Sequence, residues 1–131
     1  MKFTSQICTT EEQSKRLLEL GLKMETADMY YLNYGPIGLI PQIRDTKSIL
    51  EDEDIPAWSL HRLMEIMPCN LSDNSQIDFS KFGVFYAIFY NGEYFLTHAF
   101  AKKEKVLFDN IIDCIEWLIK EGHFNKEYLI I

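Results

Sequence analysis

From Phe82 to Lys102 almost every position is apolar or aromatic, and the run reads FGVFYAIFYNGEYFLTHAFAK. Its one strong turn signal is Asn91-Gly92, because a type I′ turn needs positive φ at both central residues. The pattern predicts two antiparallel strands joined by a two-residue loop. Counted outward from that loop, Tyr90 faces Glu93, Ile88 faces Phe95 and Phe85 faces His98, and facing residues share a side. One side then carries Phe85, Ala87, Phe89, Tyr94, Leu96, His98 and Phe100 and is the expected core face. The other carries Val84, Tyr86, Ile88, Tyr90, Glu93, Phe95, Thr97 and Ala99. A hairpin with one wet face alternates, whereas this one is oily on both, so each side needs a cover. A contiguous exposed apolar patch marks a contact surface. Three covers compete for the second side: a helix or the Tyr128–Ile131 tail of the same chain, a second copy, or a ligand or peptide.

Elsewhere the pattern is helical. Thr9 or Thr10, with Glu12 or Gln13 three residues on, forms a capping box for a helix over 10–20, and Gly21 is its left-handed stop. Met29 to Asn33 reads as a tyrosine-rich strand. Ile37 to Ile43 can pair back on it, with Pro41 restricting that strand to an edge. Glu51 to Asp54 ahead of Pro56 predict a helix start, with Leu60, Leu63, Met64 and Met67 on one face and Trp58 opposite. Residues 69–81 read as a polar loop. Ile111, Ile112, Ile115, Leu118 and Ile119 form the stripe of a last helix, capped by Asp109 and closed by Gly122, with Trp117 off the stripe. Strands and helices do not alternate as βαβ units. The expected fold is therefore α+β, a single domain over residues 1–131. An antiparallel sheet centred on the 82–102 hairpin carries about three helices packed on it.

Composition narrows the partners. A hydrophobic fraction of 47% and a charged fraction of 25% are ordinary for a globular protein, while 14% aromatic residues is high. The net charge of −7 opposes nucleic acid and anionic membranes, so the sheet aromatics are not read as an RNA-stacking platform. The N-terminus has no apolar run of signal-peptide length and no segment has the length of a membrane span, which predicts a cytoplasmic protein.

Candidate chemistry is sparse. Cys8, Cys69 and Cys114 have no CxxC spacing, and Cys114 reads as a core residue. His61, His98 and His123 lack metal-helix spacing, and the Glu51–Asp54 run lacks the glycine and ligand alternation of a calcium loop. No metal or other cofactor is expected, and no catalytic constellation is visible. Ser59 and His61, two apart on a helix, do not face each other.

The segments ICTTEEQSKRLLELGL, TADMYY, IPAWSLHRLMEIMP and DNIIDCIEWLIKEG together resemble a group of uncharacterised small proteins from prophages and other mobile elements of gut anaerobic bacteria. The resemblance touches most of the chain outside 35–50 and 70–80. It implies a bacterial cytoplasmic setting and an accessory role in a mobile element, and it carries no catalytic residue. The expectation from the sequence is a non-enzymatic accessory or interaction protein that forms a homodimer, or docks a protein partner, through its aromatic sheet face. The alternative is a small-ligand or peptide-binding module. The binding or interface residues are Trp58, Tyr86, Ile88, Tyr90, Phe95 and Trp117.

Overall fold

A Thr-x-x-Gln box opens the first helix. The computed structural model describes residues 5–45, 54–82, 85–91, 96–100 and 106–130, and α1 spans Glu11–Glu19. The Thr10 hydroxyl accepts from the Gln13 backbone N–H at 3.2 Å, and the Gln13 side chain accepts from the Thr10 N–H at 3.0 Å. At the other end the N–H groups of Gly21 and Leu22 reach back to the carbonyls of Leu18 and Leu17. That is a Schellman closure, and Gly21 holds its left-handed position at φ +99°.

β1 (Met29–Asn33) and β2 (Leu39–Ile43) form a hairpin around a 3-10 turn at Gly35–Ile37. β3 (Ile55–Ala57) pairs with the other side of β1, so the antiparallel sheet has the order β2-β1-β3. Pro41 lies on an edge strand, as its missing N–H requires. Pro56, expected to start a helix, lies inside β3 instead, and α2 spans Leu60–Ile66. The reason is local. The Ser59 hydroxyl accepts from the Arg62 N–H at 3.1 Å, and Asp28 accepts from the Ser59 N–H at 2.9 Å. Ser59 thus supplies the start signal, and the chain before it is free to add a strand. Glu51, Asp52 and Glu53 lie outside the described residues.

The second sheet joins β4 (Gln76–Phe82), β5 (Phe85–Asn91) and β6 (Leu96–Phe100) in that order, antiparallel throughout. The fold is α+β, with two antiparallel sheets where one was expected. β4 falls on residues read as a loop. Its signal is a short period-two pattern, with Ile77 and Phe79 half-buried and Gln76 and Asp78 exposed.

The β5–β6 register corrects the expected two-residue loop. Asn91 is a strand residue opposite Leu96, and Tyr90 stands opposite His98, Phe89 opposite Ala99 and Ile88 opposite Phe100. The register shifts by one residue between Tyr90 and Asn91, and the expected pairing of Tyr90 with Glu93 gives way to His98. The expected core face holds for Ala87, which is buried, but the face read as the second one carries the larger buried side chains. Ile88 and Tyr90 are fully buried, and α3 (Leu107–Lys120) packs on β5 with the Trp117 ring 6.3 Å from that of Tyr90. β4 explains the choice. It sets Phe79 opposite Ile88 and Ile77 opposite Tyr90, completing an apolar layer, and sets Ser80 and Asp78 opposite Ala87 and Phe89. α3 is capped by Val106 without a side-chain hydrogen bond, not by Asp109, and Gly122 closes it as expected.

The chain divides into two compact units, residues 1–64 with 127–131 and residues 65–126. The C-terminal segment completes the first. Leu129 bridges Leu22, the Lys23 N–H bonds to the Tyr128 carbonyl at 2.9 Å and the Ile130 N–H to the Gly21 carbonyl at 2.7 Å.

Candidate functional site

Two of the three cysteines are built into the interior. Cys8 is buried with Sγ 3.5 Å from the Tyr31 hydroxyl, which donates to the Thr9 carbonyl at 2.6 Å. Burial pushes the Cys8 thiol and the Tyr31 phenol upward. Burial likewise pushes the Cys114 thiol up to about 12. A raised thiol pKa lowers the fraction of thiolate, the nucleophilic form. Cys69 is exposed. The Ser59 hydroxyl donates to the Asp28 carboxylate while it accepts from the Arg62 N–H, so this pair fixes the start of α2. Among the described residues no group of three His, Cys, Asp or Glu side chains could hold a metal ion, and no helix is long and apolar enough to cross a membrane.

Three of the six residues expected at a contact surface lie inside. Trp58 is fully buried. It precedes α2, so the helical phase that placed it opposite the stripe does not apply. Its indole N–H donates to the Thr26 hydroxyl and its backbone N–H to the Thr9 hydroxyl, both at 3.0 Å. Ile88 and Tyr90 lie under α3, and the Tyr90 hydroxyl donates to the Pro68 carbonyl at 2.9 Å. Tyr86 is 38% exposed, with the Lys81 ammonium 6.0 Å from its ring centroid. Trp117 is half-buried, its ring 5.3 Å from His123. Phe95 lies outside the described residues. The structure therefore brings Tyr90, Trp117 and His123 together in the second unit as one packed aromatic row. Trp58 belongs to the first unit.

Among the described residues, exposed apolar side chains are most frequent on the β1–β2 hairpin. Leu32, Tyr34, Ile37, Leu39 and Ile43 make up half of the large apolar side chains exposed among the described residues; Ile37 is 78% and Ile43 84% exposed. No residue from Met29 to Ile43 is charged, although Asp28 and Arg44 flank the segment directly. That gap in the charge pattern was legible in the sequence. Its exposure was not, since an uncharged apolar segment reads equally well as core.

The hydrogen bonds of the hairpin also define its edges. The Tyr34 N–H bonds to the Gly38 carbonyl and the Arg44 N–H to the Asp28 carbonyl. Even-numbered residues of β2 therefore bond to β1, and odd-numbered ones, Pro41 among them, turn their backbone outward. On β1 the odd-numbered residues then bond to β3, opposite Ile55 and Ala57, so Pro56 also points its backbone away from the sheet.

Comparison with protein-family models, with curated proteins and with solved structures gives no match.

Proposed function

We propose that the chain is a non-enzymatic accessory protein that works by contact with another macromolecule, and that the uncharged β1–β2 hairpin is its contact surface. One observation carries this reading: the longest stretch without charge, residues 29–43, also holds half of the large apolar side chains exposed among the described residues. Burying such a surface removes apolar area from water and desolvates no ion. The sequestration of Cys8 and Cys114 and the capping role of Ser59 support contact over turnover, since each has a structural task. The sequence resemblance supports a bacterial cytoplasmic setting and an accessory role in a mobile element.

Retention on a hydrophobic-interaction column tests the surface. The double variant Ile37→Asp/Ile43→Asp elutes well ahead of the parent protein, while Tyr86→Asp in the second unit shifts elution little. Equal retention of the double variant and the parent would remove the hairpin from this role.

A further inference from the structure

We infer that the outer edge of β4 takes an extended peptide as an added antiparallel strand. In that peptide an acidic residue faces Lys81, and an apolar residue two positions further on faces Phe79. This surface lies wholly in the second unit and does not depend on the β1–β2 hairpin.

Hydrogen bonds locate the edge. The Ile77 N–H turns away from β5 and bonds to the Cys69 carbonyl at 3.0 Å, next to an isolated bridge between Asn70 and Gln76. Alternate residues of a strand turn their backbone the same way, so Phe79 and Lys81 also present N–H and C=O groups outward. β4 is the outer strand of its sheet. Among the described residues, no other strand or loop bonds to the Phe79 or Lys81 backbone on that side. Both edges of the first sheet are guarded, by Pro41 on β2 and Pro56 on β3, each lacking the N–H that an incoming strand would use. β4 holds no proline, so its edge is open to strand addition.

Side chains select the occupant. Phe79 and Lys81 share one face of β4, opposite Ile88 and Tyr86, while Asp78 and Ser80 share the other. Lys81 and Asp78 are exposed, and Phe79 and Ser80 are half-buried. A strand reading Glu-Thr-Val-Lys, antiparallel to β4, sets its Glu opposite Lys81, Thr opposite Ser80, Val opposite Phe79 and Lys opposite Asp78. The charged positions then meet opposite charges, the hydroxyls meet each other and the apolar side chain meets the ring, all favourable cross-strand pairs. A second copy of β4 does not supply this pattern. Outward backbone groups must meet outward backbone groups, so odd-numbered residues face odd-numbered ones across a two-fold axis. Asp78, the one acid of the strand, therefore never faces Lys81. Lys81 admits a strand that answers its charge and discourages one that does not.

Fluorescence anisotropy of a labelled peptide with the core Glu-Thr-Val-Lys, titrated with the full chain, tests this. Binding is saturable. N-methylation of the valine removes the N–H given to the Phe79 carbonyl and weakens binding by about tenfold or more. N-methylation of the threonine, whose N–H points away from β4, leaves the affinity unchanged. Lys81→Glu weakens the same peptide, and a peptide with Lys in place of its Glu recovers binding to that variant. Lys81 is exposed, so the variant keeps the parent circular dichroism. Absence of saturable binding up to millimolar chain overturns the inference, as does binding that tolerates the methylated valine. Sedimentation in which the chain associates with itself, and loses that association in Lys81→Glu, would give the edge to a second copy and overturn it equally.

Discussion

The Thr26 hydroxyl accepts the indole N–H of Trp58 at 3.0 Å and donates to the Lys23 carbonyl at 2.7 Å. This relay allows a tryptophan to be completely buried without leaving its one side-chain donor unpaired. Thr26→Val keeps the shape and removes the acceptor. The variant loses about 1–3 kcal/mol in urea unfolding, the cost of an orphaned buried donor. Thr26→Ser retains the hydroxyl and loses less.

Asn110 is an equally buried but incomplete case. Its Nδ2 donates to the Tyr86 carbonyl at 3.0 Å, while its Oδ1 is buried with no partner. Asn110→Asp replaces the donor with a carboxylate facing a carbonyl. At neutral pH it loses about 3–5 kcal/mol, the penalty of an uncompensated buried charge. Burial raises the pKa of the new carboxyl above its unfolded value. Stability of the variant therefore falls as pH rises between the two values and returns on acidification, as chemical unfolding across that range will read out.

The cysteines should separate by accessibility. Native protein at pH 8 exposes Cys69 to a thiol reagent, while Cys8 and Cys114 react only on unfolding. The Cys114 thiol is held at about 12 against an ordinary 9.0. Between those values the unfolded chain releases this proton and the native one keeps it, so stability declines as pH rises through that window. Cys114→Ala lowers stability at neutral pH by opening a cavity and flattens the alkaline decline.

Gly21→Ala tests the closure of α1. The added Cβ meets the Ile130 carbonyl oxygen at 3.7 Å, an ordinary contact, so the cost is conformational. Holding an L-residue at φ +99° costs about 1–2 kcal/mol, measurable as a lower thermal midpoint.

The expectations that match the structure share one property. The Thr10–Gln13 box, the Gly21 and Gly122 closures, the β1 bounds and the core place of Cys114 each follow from groups a few residues apart or from one helical period. The corrections share the opposite one. Asn-Gly is a strong local turn signal, yet Asn91 stays in its strand because Leu96 pairs with it. Pro56 suits a helix start, yet it joins a sheet because Ser59, held by Asp28, provides that start three residues later.

The sequence alone therefore determined the ends of α1, the Gly122 closure of α3, the edge position of Pro41 and the α+β class, because backbone donors and acceptors at those places are satisfied by near neighbours or by a proline's own geometry. Only the tertiary structure decided which side of β5 is core and which apolar segment is left in water. Both faces of that strand are apolar, so its local pattern is ambiguous, and Ile77 and Phe79 of β4 resolve it by extending one face into a layer for α3. The 29–43 segment could have been interior on its composition; Met29 packs with Cys8 and Ala57 in the core of the first unit, while Leu32, Tyr34, Ile37, Leu39 and Ile43 stay in water.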